Sequence, residues 1–220
     1  RIDGARRRPR MKFAREGYTF MAIALAVSVL ALASGPWWIA LPLVVLAGLV
    51  VSFFRDPERV VPVGEQLLTA PADGKVVAIA DSIREERFLQ RSCRRVSIFM
   101  SPLNVHVNRI PVDGVVLQVQ HSPGQFHAAF LDKASELNEQ NAVVVEDGRG
   151  ERFLFVQIAG QLARRIVCKI TAGERVRRGD RYGMITFGSR LDLYVPEVVK
   201  LHVEVGDRVT AGETVIGSYS

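Results

Sequence analysis

The stretch Ala172-Gly173-Glu174-Arg175-Val176-Arg177-Arg178-Gly179-Asp180 returns 33 residues later as Val205-Gly206-Asp207-Arg208-Val209-Thr210-Ala211-Gly212-Glu213. Both copies read glycine, acid, Arg, Val, two variable residues, glycine and acid. A second pair, Pro71-Ala72-Asp73-Gly74 and Pro111-Val112-Asp113-Gly114, places an Asp-Gly turn before a Val-rich segment in each copy. Glycine turns of this kind join the strands of hairpins. The repeats therefore predict a duplicated β unit in the second half of the chain.

Short strands are predicted around these turns. Val- and Ile-rich segments of alternating polarity, separated by Gly, Asp and Pro, are typical of a sandwich or barrel. The paired glycine turns resemble those of biotinyl- and lipoyl-type modules. We predict a mostly β fold, a sandwich- or barrel-like domain with lipoyl-like hairpin repeats. Its strands are expected at 75–80, 95–100, 114–120, 142–146, 151–158 and 166–170, with further strands beyond and a short helix at 128–137.

The N-terminal part has a different composition. Residues 17–54 form a run of 38 without a charged side chain, interrupted by Gly35-Pro36. Two helices of about 17 to 18 residues, at 18–34 and 37–54, reach the lower limit of the length that spans a bilayer. We therefore predict an α-helical membrane hairpin over 18–54, with Trp37 and Trp38 at the membrane interface.

Two other interpretations of this segment are open. A basic stretch followed by an apolar stretch also occurs in signal peptides, but the second apolar segment argues against simple cleavage and export. A buried hairpin in a soluble core is the other, although a soluble fold rarely needs so long an uncharged run. The mean hydropathy of the whole chain, +0.14, reflects this local excess of apolar residues.

The net charge of +6 is concentrated at the N-terminus. Residues 1–17 hold seven Lys or Arg against two acidic side chains, so the rest of the chain carries about +1. A basic segment beside an apolar hairpin indicates the cytoplasmic side of a membrane and attraction to anionic headgroups, not a nucleic-acid partner. The domain 55–220 is thus expected at the cytoplasmic face of the cell membrane. Met11 is a candidate start residue, so no function is assigned to the ten residues before it.

The cysteines offer little chemistry. Cys93 and Cys168 lie in apolar, strand-like segments and are predicted to be small buried thiols. Two cysteines do not make the framework of a disulfide-dense module. The sequence contains no Cys-His spacing typical of a metal site, so no metal is predicted.

Gly188-Ser189 is the dipeptide with the most distinctive chemistry. If the Ser189 hydroxyl adds to the Gly188 carbonyl, the peptide becomes an ester, and elimination then yields a dehydroalanine and finally a pyruvoyl group. Glycine adds no Cβ at the attacked carbonyl and tolerates unusual backbone angles. The dipeptide alone is not specific, because Gly217-Ser218 also occurs in the chain.

The Gly188-Ser189 dipeptide lies in the last of five motifs that follow one another along the chain. They are Phe-Phe-Arg-Asp-Pro-Glu-Arg-Val-Val-Pro at 53–62, Ala-Pro-Ala-Asp-Gly at 70–74, Phe-Met-Ser-Pro-Leu-Asn-Val-His-Val-Asn-Arg-Ile-Pro at 99–111, Pro-Gly-Gln-Phe at 123–126 and Phe-Gly-Ser at 187–189. Together they resemble the short bacterial and archaeal form of the phosphatidylserine decarboxylase family. The resemblance covers nearly all of the chain from Met11 onward.

The resemblance implies a self-processing carboxy-lyase that converts phosphatidylserine in the membrane into phosphatidylethanolamine. Cleavage between Gly188 and Ser189 would leave a β chain ending at residue 188 and an α chain, 189–220, that begins with a covalent pyruvoyl group. Its ketone would bond the amine of the serine headgroup and take up the electrons released with carbon dioxide, as pyridoxal phosphate does elsewhere. The α and β chains would form a heterodimer, and the sequence is compatible with a homo-oligomer of such units.

The resemblance also assigns roles to two side chains. Asp73 maps to the acid of a Ser-His-Asp arrangement for self-cleavage, in which a base takes the Ser189 proton. His106, in the motif Ser-Pro-x-x-x-His, is the candidate general acid or base. His202 lies in a repeat strand and is expected to be structural.

One position departs from the long form of the family, which has a second histidine where this chain has Arg109. Arginine stays protonated and is a poor base. The base is therefore open: Asp73 acts directly, His106 combines both roles, or His121 or His127 substitutes from the loop around 123–124. Arg109, with its planar fork, is instead a candidate to bind the phosphate or carboxylate of the lipid, and His121 and His127 are further candidates for substrate binding.

A non-catalytic, membrane-anchored lipoyl-like adaptor module is the alternative that the repeat suggests. A carrier module needs an exposed lysine at a hairpin tip between the repeats. The region 191–196 contains none. Cleavage into two chains is expected of the enzyme and not of the adaptor.

Overall fold

The computed structural model describes residues 11–124, 138–160, 165–186 and 189–219. The chain divides into two compact units, one ending at Arg59 and one beginning at Val60. The helix predicted at 128–137 lies outside the described residues. Each unit has its own packing.

The first unit is a helical hairpin. Helix α1 (Tyr18–Ser34) has the predicted bounds, and α2 (Trp37–Phe53) ends one residue earlier than predicted. The two helices pack against each other, and the buried Ser28 hydroxyl lies 3.0 Å from the Leu43 carbonyl oxygen of α2. This contact gives a polar group inside an apolar hairpin a partner.

The apolar surface of this unit is large. The helical segment 15–34 is long and apolar enough to cross a membrane, whereas α2 is a shorter apolar helix. Trp37 and Trp38 are both exposed, as are most of the leucines and valines of the hairpin. Strand β1 (Met11–Phe13) pairs antiparallel with β2 (Arg55–Pro57), which brings the two ends of the hairpin together.

The second unit is built from short antiparallel strands, which confirms the mostly β prediction. Eight strands form a sheet that curls into a half-barrel, in the order β11-β7-β8-β9-β13-β5-β4-β15, and two three-stranded sheets have the orders β10-β12-β6 and β14-β16-β3. The strands are β3 (Leu67–Thr69), β4 (Gly74–Glu85), β5 (Arg91–Met100), β6 (Val107–Arg109), β7 (Gly114–Ser122), β8 (Gln140–Glu146), β9 (Arg152–Ala159), β10 (Ile166–Cys168), β11 (Arg175–Val176), β12 (Arg181–Ile185), β13 (Ser189–Pro196), β14 (Lys200–Leu201), β15 (Arg208–Val209) and β16 (Val215–Ser218).

Strand β13 shows how the large sheet is packed. Leu191, Leu193 and Val195 point into the main hydrophobic core on one face. Arg190 and Asp192 point to the other face, where their side chains form a buried ion pair with an N···O distance of 2.9 Å. Because successive side chains of a strand alternate between faces, Ser189 shares the face of the core leucines.

The sequence repeats form a duplicated unit. Thr69 N donates to Pro111 O at 3.0 Å, and Arg109 N donates to Pro71 O at 2.9 Å. The two copies therefore bind each other reciprocally through equivalent backbone groups. Such a reciprocal pattern is expected of a duplicated unit whose halves are related by a pseudo-twofold axis.

The Asp-Gly turns are also equivalent. Asp73 Oδ1 accepts a hydrogen bond from Ala211 N at 2.8 Å, and Asp113 Oδ1 accepts one from Arg178 N at 2.9 Å. Each aspartate thus binds the glycine turn of one repeat copy. This contact is a structural one that both halves share.

Several strands are longer than the pattern predicts. Strand β4 continues to Glu85, where the prediction ended at 80, because a bulge between Ala80 and Ile83 carries the pairing past a polar stretch. Ser82, in the bulge, has a φ of +51°. A bulge shifts the alternation of side chains by one residue, so the polarity pattern breaks although the strand does not.

The cysteines lie where the sequence placed them. Cys93 is buried and Cys168 is partly buried. Burial raises the pKa of both thiols, which favours the protonated and unreactive form.

We expect Arg178→Ala to loosen the segment that enters the second unit. The Arg178 guanidinium donates to the carbonyls of Pro62, Gly64 and Leu67 at 2.7–2.9 Å. Their loss should cost on the order of 2 kcal/mol of unfolding free energy and raise hydrogen exchange of the amides at 62–68. Arg177→Ala, at the neighbouring exposed position, is the control, and equal exchange in both variants would contradict the assignment.

Candidate active site

Ser189 is the first residue of β13, in the interior of the eight-stranded sheet. It pairs with Met100 of β5 on one side and with Ala159 of β9 on the other. The residue is fully buried, and its Oγ has no hydrogen-bond partner among the described residues. A buried hydroxyl without a partner is unfavourable for stability, and Ser189 shares this feature with Thr69, Ser97 and Tyr182.

The chain changes sheets between β12 and Ser189. Strand β12 ends at Ile185 in a three-stranded sheet, and β13 begins at Ser189 in the large sheet. The crossing is fixed at its start, because Thr186 N and Thr186 Oγ1 lie 3.2 and 3.1 Å from the Arg165 carbonyl oxygen. Gly188, the other half of the predicted cleavage site, lies outside the described residues.

His106 is fully buried beside this crossing. Its carbonyl oxygen accepts a hydrogen bond from Ile185 N at 3.4 Å, and its Nδ1 lies 2.9 Å from the Asn104 carbonyl oxygen. A carbonyl only accepts, so Nδ1 carries the proton of this hydrogen bond. In the neutral ring, Nε2 is then the basic nitrogen.

A tight turn presents His106. Asn104 Oδ1 accepts hydrogen bonds from Ser101 N at 2.9 Å and from Ser101 Oγ at 2.7 Å, and Asn104 N donates back to Ser101 O. The serine of the motif Ser-Pro-x-x-x-His therefore has a structural use in this chain. It closes the turn from which the histidine segment enters β6.

Asp73 lies at the same edge of the large sheet as Ser189. Strand β4 begins at Gly74, β5 ends at Met100 and β13 begins at Ser189, and the three strands are neighbours. Adjacent strands are about 4.8 Å apart, which puts the Gly74 and Ser189 backbones roughly 10 Å apart. Gly74 permits this packing, because a Cβ there would lie 2.2 Å from the Phe99 carbonyl oxygen.

Gly124, in the described part of the motif at 123–126, also lies near this edge. A Cβ on Gly124 would lie 2.4 Å from the Asn138 carbonyl carbon, so only glycine allows this close approach. Asn138 is buried, and its Nδ2 donates to the carbonyl of Ala159, the strand partner of Ser189, at 2.6 Å. This hydrogen bond ties Asn138 to the strand beside Ser189.

The predicted substrate-binding residues are spread over different places. Arg109 is buried, and its Nη1 donates to the Gly179 carbonyl at 2.8 Å, in a glycine turn of the repeat. His121 is about half exposed on β7, with Nε2 2.9 Å from Glu139 Oε1. His127 lies outside the described residues. The roles of all three in lipid binding stay predictions.

The comparisons with known proteins agree on one family. Residues 46–217 match the family described as phosphatidylserine decarboxylase. The relatives include phosphatidylserine decarboxylase proenzymes from Burkholderia mallei (45% identity over 94% of this chain and 95% of the relative), Syntrophus aciditrophicus (45%, 94% and 97%) and Cupriavidus taiwanensis (44%, 94% and 96%).

These matches define the protein first as a decarboxylase, a carboxy-lyase. Coverage of both chains is nearly complete, and the buried Ser189 lies within the matched range. The chain belongs to the phosphatidylserine decarboxylase family. This confirms the family identified from the five motifs.

The two equivalent aspartates allow a matched test of Asp73. We expect Asp73→Asn to slow self-cleavage by roughly 100-fold or more, the range lost with a general acid–base group, and Asp113→Asn to leave it unchanged. Asparagine keeps an oxygen for the turn hydrogen bond, so neither variant should lose much stability. A denaturing-gel time course with thermal unfolding checks both, and cleavage of Asp73→Asn at the normal rate would exclude its carboxylate from the chemistry.

Proposed function

We propose that this protein converts phosphatidylserine into phosphatidylethanolamine with a pyruvoyl group made from its own Ser189. The observation that carries the proposal is the buried Ser189 hydroxyl at the start of β13, which has no hydrogen-bond partner in the described part of the chain, in a chain of this family. The relatives are named proenzymes, a name that fits a precursor that must be processed. The apolar N-terminal hairpin favours a lipid over a soluble amino acid as substrate.

Self-cleavage starts at the Ser189 hydroxyl. Oγ adds to the Gly188 carbonyl carbon, the bond from that carbon to Ser189 N breaks, and an ester and a free amine result. Loss of the Ser189 Cα proton then expels the Gly188 carboxylate and leaves a dehydroalanine. Its amine tautomerises and water replaces the nitrogen, so that ammonia leaves and residue 189 becomes the pyruvoyl group.

The side chains at this edge suit the proton transfers. The Nδ1 contact to Asn104 leaves His106 Nε2 basic, which supports His106 as the group that takes the Ser189 proton. Asp73, at the same edge, supplies a negative charge that stabilises the protonated base. In this assignment Arg109 is not the base, because its guanidinium is always protonated.

The surroundings of Ser189 fit a pyruvoyl group. The position is buried between Met100 and Ala159, so the small ketone would be shielded from bulk water. When present, the group supplies an electrophilic ketone that bonds the substrate amine and accepts the electrons released with carbon dioxide. His106 is then the group that returns a proton to the substrate carbon.

The remaining assignments concern the lipid and the membrane. His121, half exposed beside Glu139, suits a position at the rim of the site, and Arg109 and His127 are further candidates for the headgroup phosphate or carboxylate. The basic residues before α1 support a location at the cytoplasmic membrane with the second unit on the cytoplasmic side.

Replacement of Ser189 tests the proposal directly. Ser189→Ala should remain a single chain of 24.4 kDa, release no carbon dioxide from phosphatidylserine and form no adduct with hydroxylamine, because no ketone is made. Intact-mass spectrometry and carbon dioxide release are the measurements. Ser218→Ala, at the other Gly-Ser pair, should behave as the unmodified protein. Activity of an uncleaved Ser189→Ala variant would overturn the proposal.

The two chains should stay together after cleavage. Strand β13, the first part of the α chain, is in register with eight residues of β5 and six of β9, all in the β chain. We expect two bands on a denaturing gel and a single peak containing both chains in native size-exclusion chromatography. Separation of the chains without denaturant would contradict this arrangement.

A further inference from the structure

Three buried amide side chains form a hydrogen-bonded series beside Ser189. Gln157 Nε2 of β9 donates to Asn108 Oδ1 of β6 at 2.9 Å, and Asn141 Nδ2 of β8 donates to Gln157 Oε1 at 3.0 Å. None of the three is more than 2% exposed. We refer to Asn108, Gln157 and Asn141 as the amide clamp.

The amide clamp crosses over the start of β13. Asn108 contacts strands on both sides of β13, since its Nδ2 lies 3.6 Å from Met100 Sδ of β5 and its Oδ1 binds Gln157 of β9. Met100 is in register with Ser189, and Gln157 with Leu191. Directly opposed residues share a face of the sheet, so the Asn108 amide lies over β13 on the face to which the Ser189 side chain points.

A glycine at position 183 leaves room for the amide clamp. Gly183 of β12 is in register with Asn108, and a Cβ on Gly183 would lie 3.0 Å from Gln157 Nε2 and 2.3 Å from the Val167 carbonyl oxygen. The far end of the clamp is tied to the same series, because Asn141 Nδ2 donates to Gln157 Oε1. All three amides are therefore fixed in orientation.

The fold itself does not require an amide at position 108. In the other copy of the duplicated unit the equivalent residue is Leu68, which is fully buried and in register with Gly217 as Asn108 is with Gly183. A leucine thus fills the same place in that copy. The polar residue is a feature of the copy that carries His106.

We propose that the amide clamp is a positioning device that holds His106 against Ser189 and so sets the rate of self-cleavage. His106 lies two residues before Asn108 on one segment, and the clamp ties that segment to the strands on both sides of Ser189. Misplacement of a reacting group by about 1 Å can cost roughly 100-fold in rate. The inference rests on the proposed function, because the rate in question is that of pyruvoyl formation.

A double-mutant cycle separates positioning from stability. Asn108→Leu and Gln157→Leu each leave a buried amide without its partner and should lower the unfolding temperature. The double variant removes both members of the Asn108–Gln157 pair and leaves only Asn141 Nδ2 without its acceptor, so it should be more stable than Gln157→Leu, with Leu68 as the precedent for leucine at this place. If the clamp positions His106, all three variants cleave at least about 10-fold more slowly, and the double variant stays slow although it is more stable than Gln157→Leu.

The measurements are cleavage half-time in a cell-free synthesis chase, unfolding temperature, and carbon dioxide release per hydroxylamine-reactive ketone. The control is Thr69→Val. It removes a different buried hydroxyl, which also has no hydrogen-bond partner among the described residues, and it should cleave at the normal rate. A double variant that cleaves within threefold of the unmodified protein overturns the inference. If Asn108→Leu fails to fold, the double variant alone tests the inference. If the unmodified protein makes no ketone, the proposed function has failed.

Discussion

The crossing from β12 to β13 is the constraint on which the rest of the structure depends. Strand β12 belongs to a three-stranded sheet, and β13, in the interior of an eight-stranded one, is paired on both sides. The pairing of β13 with its neighbours does not depend on the covalent link to β12. Under the proposed cleavage before Ser189, the new chain end would therefore be buried and held by both neighbouring strands.

The duplicated unit explains how a fold with lipoyl-like repeats carries a reactive centre. Both halves keep the same turns, and Asp73 and Asp113 make the same contact to the opposing glycine turn. The halves differ at equivalent positions: Asn108, in the copy that carries His106, corresponds to Leu68 in the other copy. Membership in a decarboxylase family excludes the alternative of a non-catalytic adaptor, and the repeat that suggested an adaptor is the scaffold of the enzyme.

Much of this arrangement was predictable because it depends on local patterns. The uncharged run gave the helices to within one residue, and the Asp-Gly and glycine-acid turns predicted the duplication. Local patterns failed where one residue changes the phase of alternation, as in the bulge around Ser82 that lengthens β4. They also gave no sign of Asn108 and Gln157 as partners, because these residues are 49 positions apart. Asn108 belongs to the motif at 99–111, but Gln157 belongs to none of the five motifs.

By itself the sequence determined the family, since each of the five motifs is a contiguous stretch that can be recognised without the fold. It also determined the mostly β fold, because polarity alternation and turn residues act over a few positions. Only the tertiary structure decided that Ser189 is buried without a hydrogen-bond partner among the described residues and that three amides lie over the start of β13. These are consequences of which strands become neighbours, and strand order depends on long-range packing that no short stretch of sequence encodes.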